Sequence, residues 1–410
     1  MPSVSPDGAP VPTDGSLPAS ATARLGDRPF GVYVHVPFCV TRCGYCDFNT
    51  YTAAELLSRD GTATATREGY PELAQSELRM AGRVLPPSAP EVSTVFVGGG
   101  TPTLLAAEDL GRILRVVDSV FGLAADAEVT TEANPETVDR DYLMRLRDAG
   151  FNRVSFGMQS VREHVLRVLE RSHTPGRPQQ CVDWAREAGF EHVNLDLIYG
   201  TPGESEDDWH ASVTAAVEAA PDHVSAYSLI VEEGTRLAAR VRRGELEEPD
   251  GDRLADRYLQ ADDVLTRAGY SWYEVSNWAR GESAHSRHNR LYWTGGDWWG
   301  VGPGAHSHIG GTRWWNVKHP GAYAQRLNEG VSPGAAREVL TEDEQHLERI
   351  LLELRLSSGV PLEVLSVQGR QRAREVAQRG LLDPGELAGG RAVLTRTGRL
   401  LADAVVRELT

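Results

Sequence analysis

Between residues 30 and 232 the chain alternates between two patterns. Short runs rich in β-branched and aromatic residues are "FGVYVHV" (30–36), "VSTVFVG" (92–98), "EVTTEA" (128–133), "NRVSFGM" (152–158), "HVNLDLIYG" (192–200) and "HVSAYSLI" (223–230). Amphipathic segments with helical spacing lie between them, among them "AAEDLGRILRVVDSVFG", "DRDYLMRLRDAG" and "SEDDWHASVTAAVEAA". Six strand–helix units predict a parallel sheet covered by helices. Six is too few for an eight-fold barrel, so the expected fold is α/β, an open or partial (β/α)6 barrel over residues 29–265.

The pattern changes elsewhere. Residues 1–28 are rich in Pro, Ser, Ala, Asp and Gly and predict a disordered tail. Residues 266–335 carry seven of the nine tryptophans and many glycines, and read as a connecting region. Helical patterning returns over 336–410. There "EDEQHLERILLELRLSSGV" is strongly amphipathic, and "LAGGRAVLTRTGRLLADAVVREL" reads as a short strand, a turn and a last helix. This predicts a smaller C-terminal helical domain, winged-helix-like in one reading.

Composition narrows the classes. The chain has 410 residues, 40% hydrophobic and 24% charged, an ordinary globular profile. Its net charge of -16 disfavours a general nucleic-acid binder, which needs a basic surface. No run of 18 apolar residues predicts a membrane span, and no charged and apolar leader predicts a signal peptide. The expected location is cytoplasmic. The acidic run of "TPGESEDDWHAS" (201–212) precedes a helix and complements its dipole, a structural role.

The chemistry-bearing residues gather at one end of the predicted strands. In "VYVHVPFCVTRCGYCDFNTY" (32–51), after the first strand, Cys39, Cys43 and Cys46 have the spacing C-x3-C-x2-C. The fourth cysteine, Cys181, lies in a predicted helix and reads as a core residue. Thiolates suit zinc or an iron–sulfur cluster. A structural zinc site is closed by four protein ligands. Three cysteines leave one position open, which for a [4Fe–4S] cluster means one iron free to bind something else. "GGGTPT" (98–103) follows the second strand; it is no P-loop, since no G-K-[ST] follows, and taken alone it is also a tight strand–helix turn. Glu132 closes the third strand, Gln159 follows the fourth, Arg171 lies in "LERSHT", and Asp196 ends the fifth. Singly, these residues read as strand-end caps or solvated charges. On a shared rim of a parallel α/β fold they read as a ligand site.

This arrangement resembles the radical S-adenosylmethionine (SAM) superfamily. The resemblance implies a [4Fe–4S] cluster on Cys39, Cys43 and Cys46, with SAM completing the open iron. It implies that Gly99, Gly100 and Thr101 hold the SAM amino group, and that Glu132, Gln159, Arg171 and Asp196 are cofactor contacts. The chemistry agrees: Arg forks onto a carboxylate and Asp accepts from ribose hydroxyls. Tyr33 and Tyr45 match positions expected to touch the cluster or SAM.

"YEVSNWARGESAHSRHNRLYWTGGDWWGVGPGAHS" (273–307) is the most distinctive stretch. Its histidines, taken singly, read as packed polar residues. Yet "HNRLYW" (288–293) followed by "GVGPGAHS" (300–307) is similar to the haem-chaperone branch of the oxygen-independent coproporphyrinogen-oxidase-like family. That likeness runs from about residue 30 to the C-terminus. It implies that haem is bound and handed to an acceptor, such as a respiratory membrane protein, without a direct membrane span or nucleic acid. Imidazole and phenolate are haem-iron ligands, so His288 or Tyr292 is the candidate ligand. The related dehydrogenase carries a fourth Cys where this chain has Phe48, and commonly an Arg after the proline of "EANPE" (132–136), absent here. Oxidative decarboxylation of coproporphyrinogen III is therefore the second reading, and a cluster-bearing DNA regulator the third. The sequence leaves open the acceptor, the haem attachment, SAM cleavage, and the oligomeric state, a homodimer included.

Overall fold

The structure is a computed structural model that describes residues 8–57, 64–171 and 173–410. Its centre is one twelve-stranded sheet. Six parallel strands form the middle: β1 (Phe30–Val36), β2 (Val92–Gly99), β3 (Leu123–Ala133), β4 (Arg153–Gln159), β5 (His192–Tyr199) and β6 (His223–Ser228). Each predicted run is a strand, and β3 starts earlier than expected, at Leu123.

The alternation of these strands builds two unlike faces, because successive side chains point to opposite sides. Val32, Val34, Val36, Val95, Val97, Val154, Phe156, Met158, Val193, Leu195 and Leu197 belong to one buried apolar core. The alternating positions are polar or small: Tyr33, His35, Gly98, Glu132, Ser155, Gly157, Asn194, Asp196, Ser225 and Tyr227, with Phe96 the apolar exception. Parallel sheets usually bury apolar residues on both faces. Here the concave face is instead the wall of a polar chamber.

The stretch 266–335 is part of the sheet rather than a connector. β7 (Ser271–Glu274) and β8 (Asn277–Ala279) extend it beyond β6. β9 (Asp297–Val301) pairs parallel with β1, and β10 (His306–Ile309), β11 (Thr312–Asn316) and β12 (Gly334–Val339) follow antiparallel. The helix Arg287–Trp293 lies against the chamber side of β1 and β2. Its entry is fixed by charge: the buried Glu128 accepts from the Arg287 and His288 backbone N–H groups at 3.1 and 3.0 Å. Ser286 Oγ accepts from Asn289 N at 3.2 Å. An anion and a cap at a helix start together stabilise it by about 1–2 kcal/mol.

The expectation of a disordered tail over 1–28 is corrected for residues 8–28; residues 1–7 lie outside the described residues. Ala9 exchanges two backbone hydrogen bonds of 2.8 Å with Arg337 of β12, and Ser332 N donates to Thr13 O at 2.7 Å. Ala21 is buried, and Val11, Leu17 and Leu25 pack on the core. The segment covers an edge strand whose backbone groups would otherwise stay unpaired.

The C-terminal region has its own core, from Ile350, Leu354 and Val360 to Val405, Val406 and Leu409. It comprises the helices Glu342–Glu353, Val367–Gln378 and Ala402–Leu409 and a two-stranded antiparallel sheet, β13 (Val360–Pro361) with β14 (Arg391–Ala392). Among the described residues no helix is long and apolar enough to cross a membrane.

Candidate functional site

The cysteine loop leaves β1 at Pro37 and returns at Tyr51. Cys39 N donates to Tyr51 O at 3.0 Å and Tyr51 N to Pro37 O at 2.7 Å, so the loop is closed at its neck. Cys39, Cys43 and Cys46 are unpaired and half-buried. Burial raises the Cys39 thiol and pushes Cys46 up to about 11. Burial thus favours the protonated form of Cys39 and Cys46; a bound metal would reverse that. Donors already face two of the three loop cysteines. Thr101 Oγ1 lies 4.0 Å from Cys39 Sγ, and Arg171 Nη1 lies 3.6 Å from Cys43 Sγ.

No three His, Cys, Asp or Glu side chains among the described residues converge on a single ion. Three separate thiolates on one closed loop are what a cubane cluster would take. The residues present fit such a cluster.

The glycine-rich turn lies directly on this loop. Gly100 N donates to Val36 O and Thr101 N to Phe38 O, both at 2.8 Å. A Cβ on Gly100 would stand 2.5 Å from Phe38 O and 3.0 Å from Cys39 Sγ. Gly99 has φ +112°, and its Cβ would meet the His35 ring at 2.7 Å. Close approach is what the glycines supply.

Glu132 follows on the chamber wall, its Oε2 accepting from Gly99 N at 3.0 Å. Burial, and then the neighbouring Asp196, push Glu132 up to about 7. Asp196 is raised by burial too, while Ser155 Oγ and Asn194 Nδ2 donate to it at 2.7 Å each. Gln159 adopts φ +62°, at a register shift between β4 and β5. A bulge of this kind re-aims a side chain: a Cβ on Gly157 would meet Gln159 Nε2 and Arg171 Nη2, both at 2.7 Å. Arg171 itself donates to Gly157 O at 3.2 Å, and its buried Nε has no partner. Tyr33 and His35 are joined by a 3.0 Å hydrogen bond. Tyr45 is raised by burial and packs against the small cluster of Val165, Leu169, Leu229 and Leu237.

His288 and Tyr292 lie deeper in the chamber. Tyr33 stacks on Phe96 with centroids 6.3 Å apart, and Phe96 stacks on His288 at 5.3 Å. His288 is 1% exposed. Both ring nitrogens are engaged, Nδ1 with Thr94 Oγ1 and Nε2 with the Tyr292 hydroxyl, each at 2.8 Å. Burial pulls its pKa down to about 3. Asn289 Nδ2 donates to the buried Glu274 at 3.4 Å. For His288 to reach iron, one of these bonds has to open.

Sequence reasoning missed Asn194, Ser155, Tyr227, Glu274 and the Glu128–Arg153 pair (3.4 Å) that line or floor this chamber. The signal available was a polar residue at every second position of an otherwise apolar strand.

A model of the radical SAM superfamily matches residues 33–216, which span every candidate from Tyr33 to Asp196. The chain is 54% identical, over 98% of its length and 98% of the relative, to "Heme chaperone HemW" of Mycobacterium tuberculosis. The chain belongs to the HemW family of the radical SAM superfamily. The HemW protein of Bacillus subtilis is 32% identical over 91% of this chain and 97% of its own. Among solved structures, coproporphyrinogen III oxidase (HemN) of Escherichia coli, described as a radical SAM enzyme, has a TM-score of 0.79 at 25% identity, covering 95% of this chain and 92% of that one. HemW membership and this likeness agree with the partial-barrel fold. They leave the roles of individual residues to the geometry.

Proposed function

We propose that this HemW-family chain is a haem chaperone that carries a [4Fe–4S] cluster on Cys39, Cys43 and Cys46, binds SAM beside it, and passes haem to an acceptor protein, such as a respiratory membrane protein. When bound, the cluster and SAM supply one-electron chemistry. The chain's own residues bind and orient. Gly99, Gly100, Thr101 and Glu132 offer a cradle for an amino group, since a carboxylate facing a close-approach turn favours a cation. Arg171 is fitted to a carboxylate, because its guanidinium already reaches into the site with one buried N–H unsatisfied. Asp196 and Gln159 offer acceptor and amide groups to ribose hydroxyls. Tyr33 and Tyr45 flank the loop as apolar walls.

One observation favours the chaperone over the decarboxylase, the charge of the chamber. Coproporphyrinogen carries several propionates and calls for converging cations. On the chamber face of β1–β6 the one arginine is Arg153, bound to Glu128 at 3.4 Å and to Ala284 O at 3.0 Å. Arg171 enters from the segment after the helix Glu163–Val168 and is engaged by Cys43 and Gly157. Glu132, Asp196 and Glu274 outnumber them. Phe48, 51% exposed beside the cysteine loop, supports the same choice, since the dehydrogenase pattern has a cysteine there.

The test is a haem titration of anaerobically reconstituted protein, followed by Soret absorbance. Saturation at one haem per chain is expected, and persistence after cluster removal separates the haem site from the SAM site. No saturable binding with an intact cluster overturns the chaperone reading. The likeness to HemN keeps decarboxylation as the second reading. Anaerobic incubation with coproporphyrinogen III, SAM and a reductant decides it, and protoporphyrinogen formation would establish it.

A further inference from the structure

The stretch "GVGPG" (300–304) belongs to none of the ligand contacts above, yet it is built against the cysteine loop at both of its ends. At the entry, Gly302 has φ +105°, and a Cβ there would stand 2.4 Å from His35 O. Tyr70 OH donates to that same carbonyl at 2.7 Å. At the exit, Gly304 has φ +73°, and its Cβ would meet Asn49 Nδ2 at 2.6 Å. Neither position admits a side chain, for two independent reasons, space and backbone conformation.

Asn49 ties the two segments together. Its Nδ2 donates to Pro303 O at 2.9 Å and to Lys318 O at 2.8 Å. Its own backbone carbonyl faces His35 Nε2 at 2.9 Å. A carbonyl only accepts, so His35 carries its proton on Nε2, and its Nδ1 accepts from the Tyr33 hydroxyl. One hydrogen-bonded line thus runs from the chamber wall at Tyr33, through His35, to Asn49, three residues beyond Cys46.

The glycine turn is itself anchored from behind. Glu77, fully buried on the helix Tyr70–Val84, accepts from Gly302 N at 2.8 Å, from Tyr323 OH at 2.6 Å and from Asn316 Nδ2 at 2.7 Å. Asn316 also donates to Gly302 O at 2.9 Å. A buried carboxylate with three donors fixes the turn in one position.

We propose that the 300–304 turn is a clamp that sets the position of the cysteine loop, with Asn49 as its positioning residue and Glu77 as its anchor. The clamp itself stands on the apoprotein; only its effect on a cluster rests on the reading above. Asn49 touches no reacting group and acts through the loop, by holding its exit at a fixed distance from its entry.

The experiment compares wild type, Asn49→Ala, Gly304→Ala and the double variant, with thermal melting as the control for folding. In the apoprotein, alkylation of Cys39, Cys43 and Cys46 by iodoacetamide is followed by mass spectrometry, with buried Cys181 as the internal reference. Each single variant is expected to speed alkylation of the three loop cysteines about tenfold, the factor carried by one net hydrogen bond, with Cys181 unchanged. The double variant is expected to equal the singles, because both remove the same contact. In the reconstituted protein, the variants are expected to lose cluster faster in air and to show an altered cluster EPR line shape. Wild-type alkylation rates and line shape in a folded Asn49→Ala protein overturn the clamp. A wild type that takes up no cluster overturns the cluster reading alone, since the alkylation arm does not depend on it.

Discussion

Gly99 at the end of β2 donates its backbone N–H to Glu132 Oε2 on β3, at 3.0 Å. The two residues belong to different sequence motifs, and this bond makes them one surface. A turn with no side chains lies beside a carboxylate that the chamber holds out of water. Burial makes the charged carboxylate unfavourable to the folded protein by itself, which agrees with the proposed role of Glu132 beside an amino group.

The first prediction follows from the sign of the Glu132 shift. Its pKa is raised to about 7 from an ordinary value near 4.5. Between those values the folded chain holds a proton that the unfolded chain has lost. Wild type therefore loses stability as pH rises through this window. Glu132→Gln keeps an acceptor for Gly99 N and carries no charge. It should melt with wild type below the window and be more stable above pH 7 by on the order of 1–3 kcal/mol. Its SAM affinity should fall. Melting curves across pH, beside SAM titrations, check both; a pH-independent difference would refute the assignment.

The second prediction concerns the cysteines. Cys39→Ser, Cys43→Ser and Cys46→Ser should each lose bound iron and sulfide on reconstitution. Cys181→Ser should keep them, because Cys181 is fully buried on the helix Arg177–Ala188 and donates to Pro135 O. Iron and sulfide analysis per chain reads the result. Full cluster content in any of the three loop variants would remove that residue from the ligand set.

Much of this was legible in the sequence because its signals are local. The cysteine spacing, the glycine run and the six apolar runs each lie within a few residues. What was not legible depends on distant partners. Glu77 reads as one more helix charge until Asn316, 239 residues on, bonds to it. Gln159 carries no glycine-like signal for its positive φ, which the bulge between β4 and β5 imposes. Residues 8–28 look unable to bury anything, and they alone could not; the edge of β12 gives them a partner. The tryptophan-rich stretch looked like a connector because its strands are short and pair with β1 and β6 rather than with each other alone.

The third prediction separates haem binding from the floor of the chamber. His288 sits between Thr94 and Tyr292 with no free ring nitrogen. His288→Ala should destabilise the protein by about 2–4 kcal/mol, through a cavity and two unpaired hydroxyls. Haem stoichiometry in the folded variant should stay at the wild-type value. Denaturant unfolding and Soret titration measure the two effects. Loss of haem from a variant of undiminished stability would instead make His288 the iron ligand.

The last prediction concerns how the C-terminal domain is held. Asp262, on the helix Gly251–Arg267 and 7% exposed, accepts from Trp278 Nε1 at 2.8 Å and from Arg399 Nη1 at 3.1 Å, and forms an ion pair with Arg396, whose Nε lies 2.9 Å away. Arg399 also lies over the Trp272 ring, 3.8 Å from its centroid. Two of these partners come from the C-terminal domain and one from the sheet, so this carboxylate bonds to both, beside the Arg313–Glu348 pair and the Ser357 N to Tyr273 O bond of 2.8 Å. Asp262→Ala leaves a buried indole N–H and the Arg399 guanidinium without an acceptor, a loss of about 3–5 kcal/mol for a pair broken on one side. Arg396 keeps Asp263 at 2.7 Å, which limits its share. Because the C-terminal region has its own core, the loss falls on docking rather than on either unit. Denaturant unfolding of Asp262→Ala should therefore split into two steps, with the earlier one seen in tryptophan fluorescence. Limited proteolysis should cut between β12 and the helix Glu342–Glu353. A single transition at the wild-type midpoint would mean that Asp262 does not hold the domain.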